Sequence, residues 1–252
     1  MGALMSHPEE AINWFMNEFN EYVTDGKYVG WVTRFPNTLY KGQSVRWNLK
    51  TAKHRFALYM LASAWSRNGK WEGLVRMAVE MTEGANQDWL DPDYWRSNPK
   101  NLEQSFSEML QAARANVAIE NGRNATARED CVDSFISIAR RINEIEAALG
   151  LAGPNDRFDG KEAYQQMRQF KGTGVGTNAW KIKILLIFRE LRCQGFGHFP
   201  GCLCCVPDQR VRNYYAANIG ALPINDLEAS ARIYHDFGDL YDLPAFYWQD
   251  HA

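Results

Sequence analysis

At 252 residues and 46% hydrophobic content, the chain is long enough to bury a large core, in one domain or in two small ones. It holds no apolar run of about 18 residues, and Glu9 and Glu10 fall in its first turn of structure, which argues against a membrane span and a secretory leader. A net charge of −2 is not that of a generally basic nucleic-acid binder, and five cysteines, an odd number, argue for a reducing cytoplasm over a disulfide scaffold.

The pattern along the chain is helical nearly throughout. Ser6-His7-Pro8-Glu9 forms a capping box with proline inside the first turn and predicts a helix through Ile12, Phe15, Phe19 and Val23. Residues 25–48 read as irregular, punctuated by Gly26, Gly30, Pro36, Asn37 and Gly42. A helix is expected from about Thr51, carrying Phe56, Tyr59, Met60, Ser63 and Ala64, and another from Trp71 to Met81. Asp91-Pro92 starts a short helix. Asn101 to Ile119 is long and amphipathic, Asn124 to Leu149 is one more helix, and Gly150 to Gly160 is a linker. Helical periodicity resumes from Gly160 to Phe170, and again through the apolar stretch Trp180 to Phe188. Asp208 opens a helix to Ile219, Asn225 one to about Leu240, and Phe246, Tyr247 and Trp248 make an aromatic tail. No segment alternates with period two for long enough to predict a sheet, and no internal repeat is visible.

Between two of these helices lies the most informative segment, Phe170-Lys171-Gly172-Thr173-Gly174-Val175-Gly176-Thr177-Asn178. Its three glycines permit a sharp turn and leave bare N–H groups at a helix N-terminus, where an anion is favoured. A dinucleotide fingerprint would need a preceding strand, and here a helix precedes; a P-loop would need Gly-Lys followed by Ser or Thr, which is absent. What remains is helix, tight hairpin, helix. Val206-Pro207-Asp208-Gln209-Arg210-Val211 follows, with Asp208 standing 32 residues after Gly176. Residues 161–192 carry seven basic residues, Lys161, Arg168, Lys171, Lys181, Lys183, Arg189 and Arg192, against Glu162 and Glu190, a basic strip beside the hairpin that fits a phosphate footprint.

Gly174-Val175-Gly176, followed by an aspartate in a Val-Asp-like stretch, resembles the helix-hairpin-helix DNA glycosylases, the endonuclease III-like or HhH-GPD superfamily. The resemblance covers residues 50–252 in order and type of element, with specific residues at 170–190 and 205–220. It implies an all-α fold of two helical lobes with a helix-hairpin-helix and an interlobe cleft. Residues 1–49 then form an N-terminal helix and irregular segment without counterpart, and 50–252 the glycosylase-like domain with its hairpin at 170–180. It further implies that Lys171, Gly172, Thr173, Gly174, Val175, Gly176, Thr177 and Lys181 grip a DNA phosphate, and that Asp208 is the catalytic carboxylate. Members that also cut the backbone use a lysine two residues after the last hairpin glycine; that position here is Asn178, which favours a monofunctional enzyme. The family's iron–sulfur cysteines follow the aspartate, whereas Cys193, Cys202, Cys204 and Cys205 precede it, so that cluster is not expected.

These cysteines bracket His198, and zinc would take four ligands such as Cys193, His198, Cys202 and Cys205; the competing expectation is free buried thiols in a glycine-rich loop. No cofactor is required for the chemistry. Aromatic residues are plentiful, with nine tryptophans and eleven tyrosines. Most belong in the core, but Asn178, Trp180, Trp47 and Tyr214 are candidates for a base pocket, and the 31–48 segment, with Arg34, Asn37, Lys41, Gln43, Arg46 and Asn48, for its wall.

Three functions are consistent with this pattern. One is a monofunctional N-glycosylase excising a damaged or modified base, phage hypermodified bases included. Another is a transferase resembling the alpha-glutamyl/putrescinyl-thymine pyrophosphorylases, a divergent branch that installs an amine or amino acid on a modified pyrimidine in DNA. The third is a helical DNA-binding module without chemistry. All three imply DNA as partner, no membrane, a cytoplasmic location and a monomer.

Changing both Gly174 and Gly176 to alanine should cost about 1 kcal/mol or more of local strain at each left-handed position and displace the amides. DNA affinity is then expected to fall equally on every sequence, with a flatter salt dependence, because a phosphate contact carries no base information. Titrations at several salt concentrations check this; unchanged affinity and slope in the folded variant would make the hairpin only a turn.

Overall fold

A computed structural model describes residues 8–30, 47–65, 77–81, 87–97, 99–113, 125–153, 158–169 and 179–248. The capping-box residues Ser6 and His7, most of the 31–48 segment and the glycine hairpin at 170–178 lie outside the described residues. The described chain is mostly α-helical, and no helix in it is long and apolar enough to cross a membrane. It forms two compact units, one of Met1–Trp31 with Leu185–Ala252, the other of Val32–Ile184. Of the described part of residues 1–49, Pro8–Gly30 thus belongs to the first unit and Trp47–Leu49 to the second.

The first unit starts with α1 (Pro8–Glu18), which buries Ala11 and Phe15. The helix was expected to reach Val23 but ends at Glu18: a 3-10 turn over Asn20–Tyr22 follows, and Val23 enters a strand instead. β1 (Val23–Thr24) pairs antiparallel with β2 (Lys27–Tyr28), Val23 opposite Tyr28 and Thr24 opposite Lys27. Asp25 and Gly26 make the turn with φ of 52° and 71°. Left-handed values at both central residues are the tight-hairpin geometry for which Asp-Gly is a favoured pair. Period-two alternation cannot reveal strands of two residues; this turn dipeptide is the signal that could have.

The rest of this unit comes from the other end of the chain. α8 (Ala179–Cys193) enters it at Leu185 and buries Leu185, Leu186, Ile187, Phe188 and Leu191. α9 (Gln209–Asn218) and α10 (Asp226–Phe237) follow, capped by Asp208 and Asn225, whose side chains accept the early helical N–H groups. α10 stops at Phe237, short of the expected Leu240, because Gly238 turns with φ 55° into a 3-10 turn. The aromatic tail forms α11 (Leu243–Tyr247), with Pro244 in its first turn. α11 packs on both α1 and α9. Phe15, Phe19 and Tyr247 stack together, with Phe19 and Tyr247 centroids 4.6 Å apart, and Trp14 meets Trp248 edge-on at 5.9 Å.

The second unit gathers around α5 (Ala125–Arg140). α2 (Ala52–Trp65), α3 (Pro92–Ser97) and α4 (Pro99–Ala113) all pack on it, and residues 77–81 are helical too. At its centre Trp95, Phe106 and Phe135, each fully buried, meet edge to face, with Phe135 5.2 Å from Trp95 and 5.3 Å from Phe106. The single helix expected over 124–149 is two, α5 and α6 (Ile142–Ala148), interrupted where Arg141 leaves helical geometry. α7 (Gly160–Met167) follows, capped by Asp159.

A buried ion pair ties this unit's strands of chain together. Arg55 on α2 lies against both oxygens of Glu146 on α6, and its other arm donates to the carbonyls of Leu49 and Lys50. Tyr59 donates to Glu146 Oε1 at 2.6 Å. Burial opposes charge on Arg55, yet the Glu146 carboxylate more than compensates and its pKa is raised. Glu146→Ala strands the guanidinium and the Tyr59 hydroxyl, and should destabilise the fold by about 3 kcal/mol or more. Thermal or urea unfolding of the variant checks this.

Candidate active site around Asp208

Asp208 stands at the start of α9 with extended backbone, φ −73° and ψ 178°, and is half-buried. Its Oδ1 accepts the N–H of Val211 at 3.0 Å. The expected capping role is therefore present, and it fixes the side-chain rotamer at the helix positive end.

The backbone that carries Asp208 is secured group by group. Cys205 N–H donates to Ser230 Oγ of α10 at 3.0 Å. Val206 N–H donates to Asp242 Oδ1 at 2.9 Å, and the Val206 carbonyl accepts from Asp208 N–H at 2.9 Å. The Pro207 carbonyl accepts from Arg212 Nε at 3.1 Å, and the Asp208 carbonyl from Arg212 N–H at 2.9 Å. Arg212 also reaches the Pro223 carbonyl at 2.8 Å and Asp226 at 3.1 Å, clamping the start of α9 to the start of α10. Side chains from α9, α10 and the α11 cap thus hold one four-residue loop, the kind of supporting shell that gives a functional carboxylate a fixed place.

Asp242 belongs to a wholly buried charged cluster. Arg189 of α8 donates to its Oδ1 at 2.6 Å and lies 3.3 Å from Glu190 Oε1, and Tyr28 OH donates to that same Glu190 oxygen at 3.3 Å. Arg189 sits 5.5 Å from the centre of the Tyr28 ring. Burial works against the guanidinium charge, but Asp242, Tyr28 and Glu190 hold its pKa well above the usual value; burial and Glu190 likewise push the Tyr28 hydroxyl up. In the sequence Arg189 falls within the basic strip of residues 161–192. In the structure Arg189 and Lys183 are buried, so neither offers charge to a ligand at the surface. The available signal was an Arg-Glu pair inside an apolar helical run, which needs buried partners.

Tyr214 lies on α9, the helix that Asp208 caps, and is buried among Tyr215, Phe237 and Trp248. Trp47 is also buried, against His54, and belongs to the second unit. Trp180 and Lys181 lie in the first turn of α8; Lys171, Gly172, Thr173, Gly174, Val175, Gly176, Thr177 and Asn178 fall outside the described residues.

The cysteine-bearing loop after α8 is closed by packing and main-chain contacts. Arg192 donates to the Phe199 carbonyl at 2.9 Å, and Phe199 packs between Phe188 and His198. Gly201 lies so close to the Tyr234 ring that any Cβ would overlap it, and Tyr234 OH is held by Asp239 at 2.9 Å. The Cys193 thiol approaches the Tyr28 carbonyl at 3.6 Å and the Cys204 thiol the Pro200 carbonyl at 3.3 Å. None of the five cysteines is in a disulfide, and among the described residues no three of His, Cys, Asp or Glu converge in a way that could hold a metal ion. Burial pushes the Cys193, Cys204 and Cys205 thiols well above the ordinary range.

No family model, curated protein or solved structure matches this chain.

Because the thiolate is the reactive form, maleimide at neutral pH should label Cys202 of the native protein ahead of Cys193, Cys204 and Cys205. Peptide mass spectrometry checks the order. Rapid labelling of all four would mean that the loop opens in solution.

Proposed function

We propose that the protein is a DNA base-flipping enzyme, a monofunctional N-glycosylase that excises a damaged or modified base. The observation that carries the proposal is Asp208: a half-buried carboxylate in Val206-Pro207-Asp208-Gln209-Arg210-Val211 that caps its helix by accepting the Val211 N–H and is mounted on a backbone whose polar groups are engaged by Ser230, Asp242 and Arg212. Such a carboxylate can do the work that base excision requires. The enzyme turns the target nucleotide out of the stack, at a cost of a few kcal/mol. Breaking the C1′–N bond builds positive charge on the sugar, and a fixed carboxylate beside C1′ stabilises that charge and orients or deprotonates the attacking water. A preorganised group is worth more than a mobile one, since no reorganisation accompanies the reaction.

In this proposal the hairpin from Lys171 to Thr177, with Lys181, grips the phosphate, and Asn178 in place of lysine leaves no amine for a Schiff base. Excision then ends at an abasic site.

Asp208→Asn keeps the size and the cap acceptor but removes the charge. Excision should fall by about two to three orders of magnitude or more, the scale for losing a transition-state electrostatic group, while DNA affinity stays level or improves. The assay is mass spectrometry of bases and nucleosides released from ordinary and phage-modified DNA. Normal turnover by the folded variant removes Asp208 from the mechanism. A change of base mass without release replaces excision by transfer, and no change on any DNA leaves a binding module.

A further inference from the structure

Asp242 lies 34 residues beyond Asp208 in the chain, and nothing in the sequence pattern connects the two. Its Oδ1 receives two donors, Arg189 Nη1 at 2.6 Å and Val206 N–H at 2.9 Å. Arg189, Glu190 and Asp242 are all nearly inaccessible to solvent, so this oxygen cannot drift toward water to satisfy itself. The donor from Arg189 sets where the carboxylate lies, and the carboxylate sets where Val206 lies.

From Val206 the constraint passes directly to Asp208. Asp208 N–H closes back on the Val206 carbonyl at 2.9 Å. The residue between them is proline, with fixed φ and no N–H to pair elsewhere. On the far side Arg212 holds the Pro207 and Asp208 carbonyls. Asp208 therefore stands between the Arg212 clamp and the Asp242 clamp, and the Asp242 clamp, like the neighbouring Cys205–Ser230 contact, leads into the buried core of its unit. A role confined to neutralising Arg189 would not require the second contact, because Glu190 already lies 3.3 Å from Arg189 Nε.

We infer that Asp242 is a positioning residue for Asp208: through the N–H of Val206 it fixes the loop that presents the catalytic carboxylate to the sugar. This rests on the base-excision function proposed above. Asp242 touches no substrate; it acts on geometry, and so on the step in which charge develops.

The test uses the full chain with Asp242→Ala and Asp242→Asn. Alanine removes the acceptor, whereas asparagine keeps an oxygen for Val206 and gives up only the charge; Glu190 remains beside Arg189 in both. Displacement by about 1 Å of a catalytic group can cost on the order of a hundredfold in rate, so kcat of the alanine variant is expected to fall about 10- to 100-fold with DNA affinity unchanged. Asparagine should restore most of the loss. Hydrogen exchange in the alanine variant should rise at 205–208 while α10 stays protected. A folded alanine variant with normal kcat overturns the inference, as does an asparagine variant no better than alanine.

If the alanine variant does not fold, exchange in the unaltered protein decides: a Val206 amide protected like the helix interiors supports the clamp, and one exchanging like exposed loops overturns it. The two proposals fail separately. A wild-type protein that releases no base from any DNA sinks the excision function, and exchange at Val206 then decides alone whether Asp242 holds the loop.

Discussion

One carboxylate oxygen inside the first unit holds together segments from distant parts of the chain. Asp242 Oδ1 joins α8, through Arg189, to the loop before α9, through Val206; Glu190, next to Arg189, then joins α8 to the β-hairpin through Tyr28. Charges so deeply buried contribute little net stability compared with apolar packing, but removing one partner costs about 3–5 kcal/mol because the other is left alone. The arrangement therefore specifies geometry more than it adds stability. Its backbone carries a further sign of constraint. Tyr241, immediately before Asp242, is a non-glycine residue at φ 58° and ψ −138°, a conformation that costs on the order of 1–3 kcal/mol and persists only where surroundings enforce it.

The second unit uses the same device in different residues. Arg55, Glu146 and Tyr59 repeat the arginine, carboxylate and tyrosine combination, but here the arginine and not the carboxylate secures the loop, at Leu49 and Lys50. Helices satisfy their own backbone groups, but loops buried beneath them do not. A planar guanidinium with five donors can serve a carboxylate and several carbonyls at once, which lysine cannot.

The helical class and most helix starts were legible from local chemistry. Asp91-Pro92, Asp208 and Asn225 each cap where their side chains offered an oxygen ahead of a helical run, and the structure places helices directly after them. Helix ends were less legible, because Gly238 and Arg141 interrupt apolar periodicity without erasing it. The cap of Asp208 could be foreseen; Ser230, Asp242 and Arg212 around its loop could not, since nothing in the sequence pattern ties Asp242 to Val206 until the fold brings them together. Counting charge along α8 likewise misjudged Arg189, for composition does not say which face of a helix is covered.

The first and last described helices, α1 and α11, complete one aromatic cluster, in which Phe15 and Phe19 wait for Tyr247, and Trp14 for Trp248. Ribosomal synthesis delivers these partners at opposite times. The residues of the second unit emerge in between and can assemble among themselves, whereas the first unit cannot close until α11 is made. Its long sequence separations make that closure the slow part of folding. α1 packs on α10 and α11, Phe15 against Tyr247 of the latter, and therefore gains its full cover only after both of these late segments have been made.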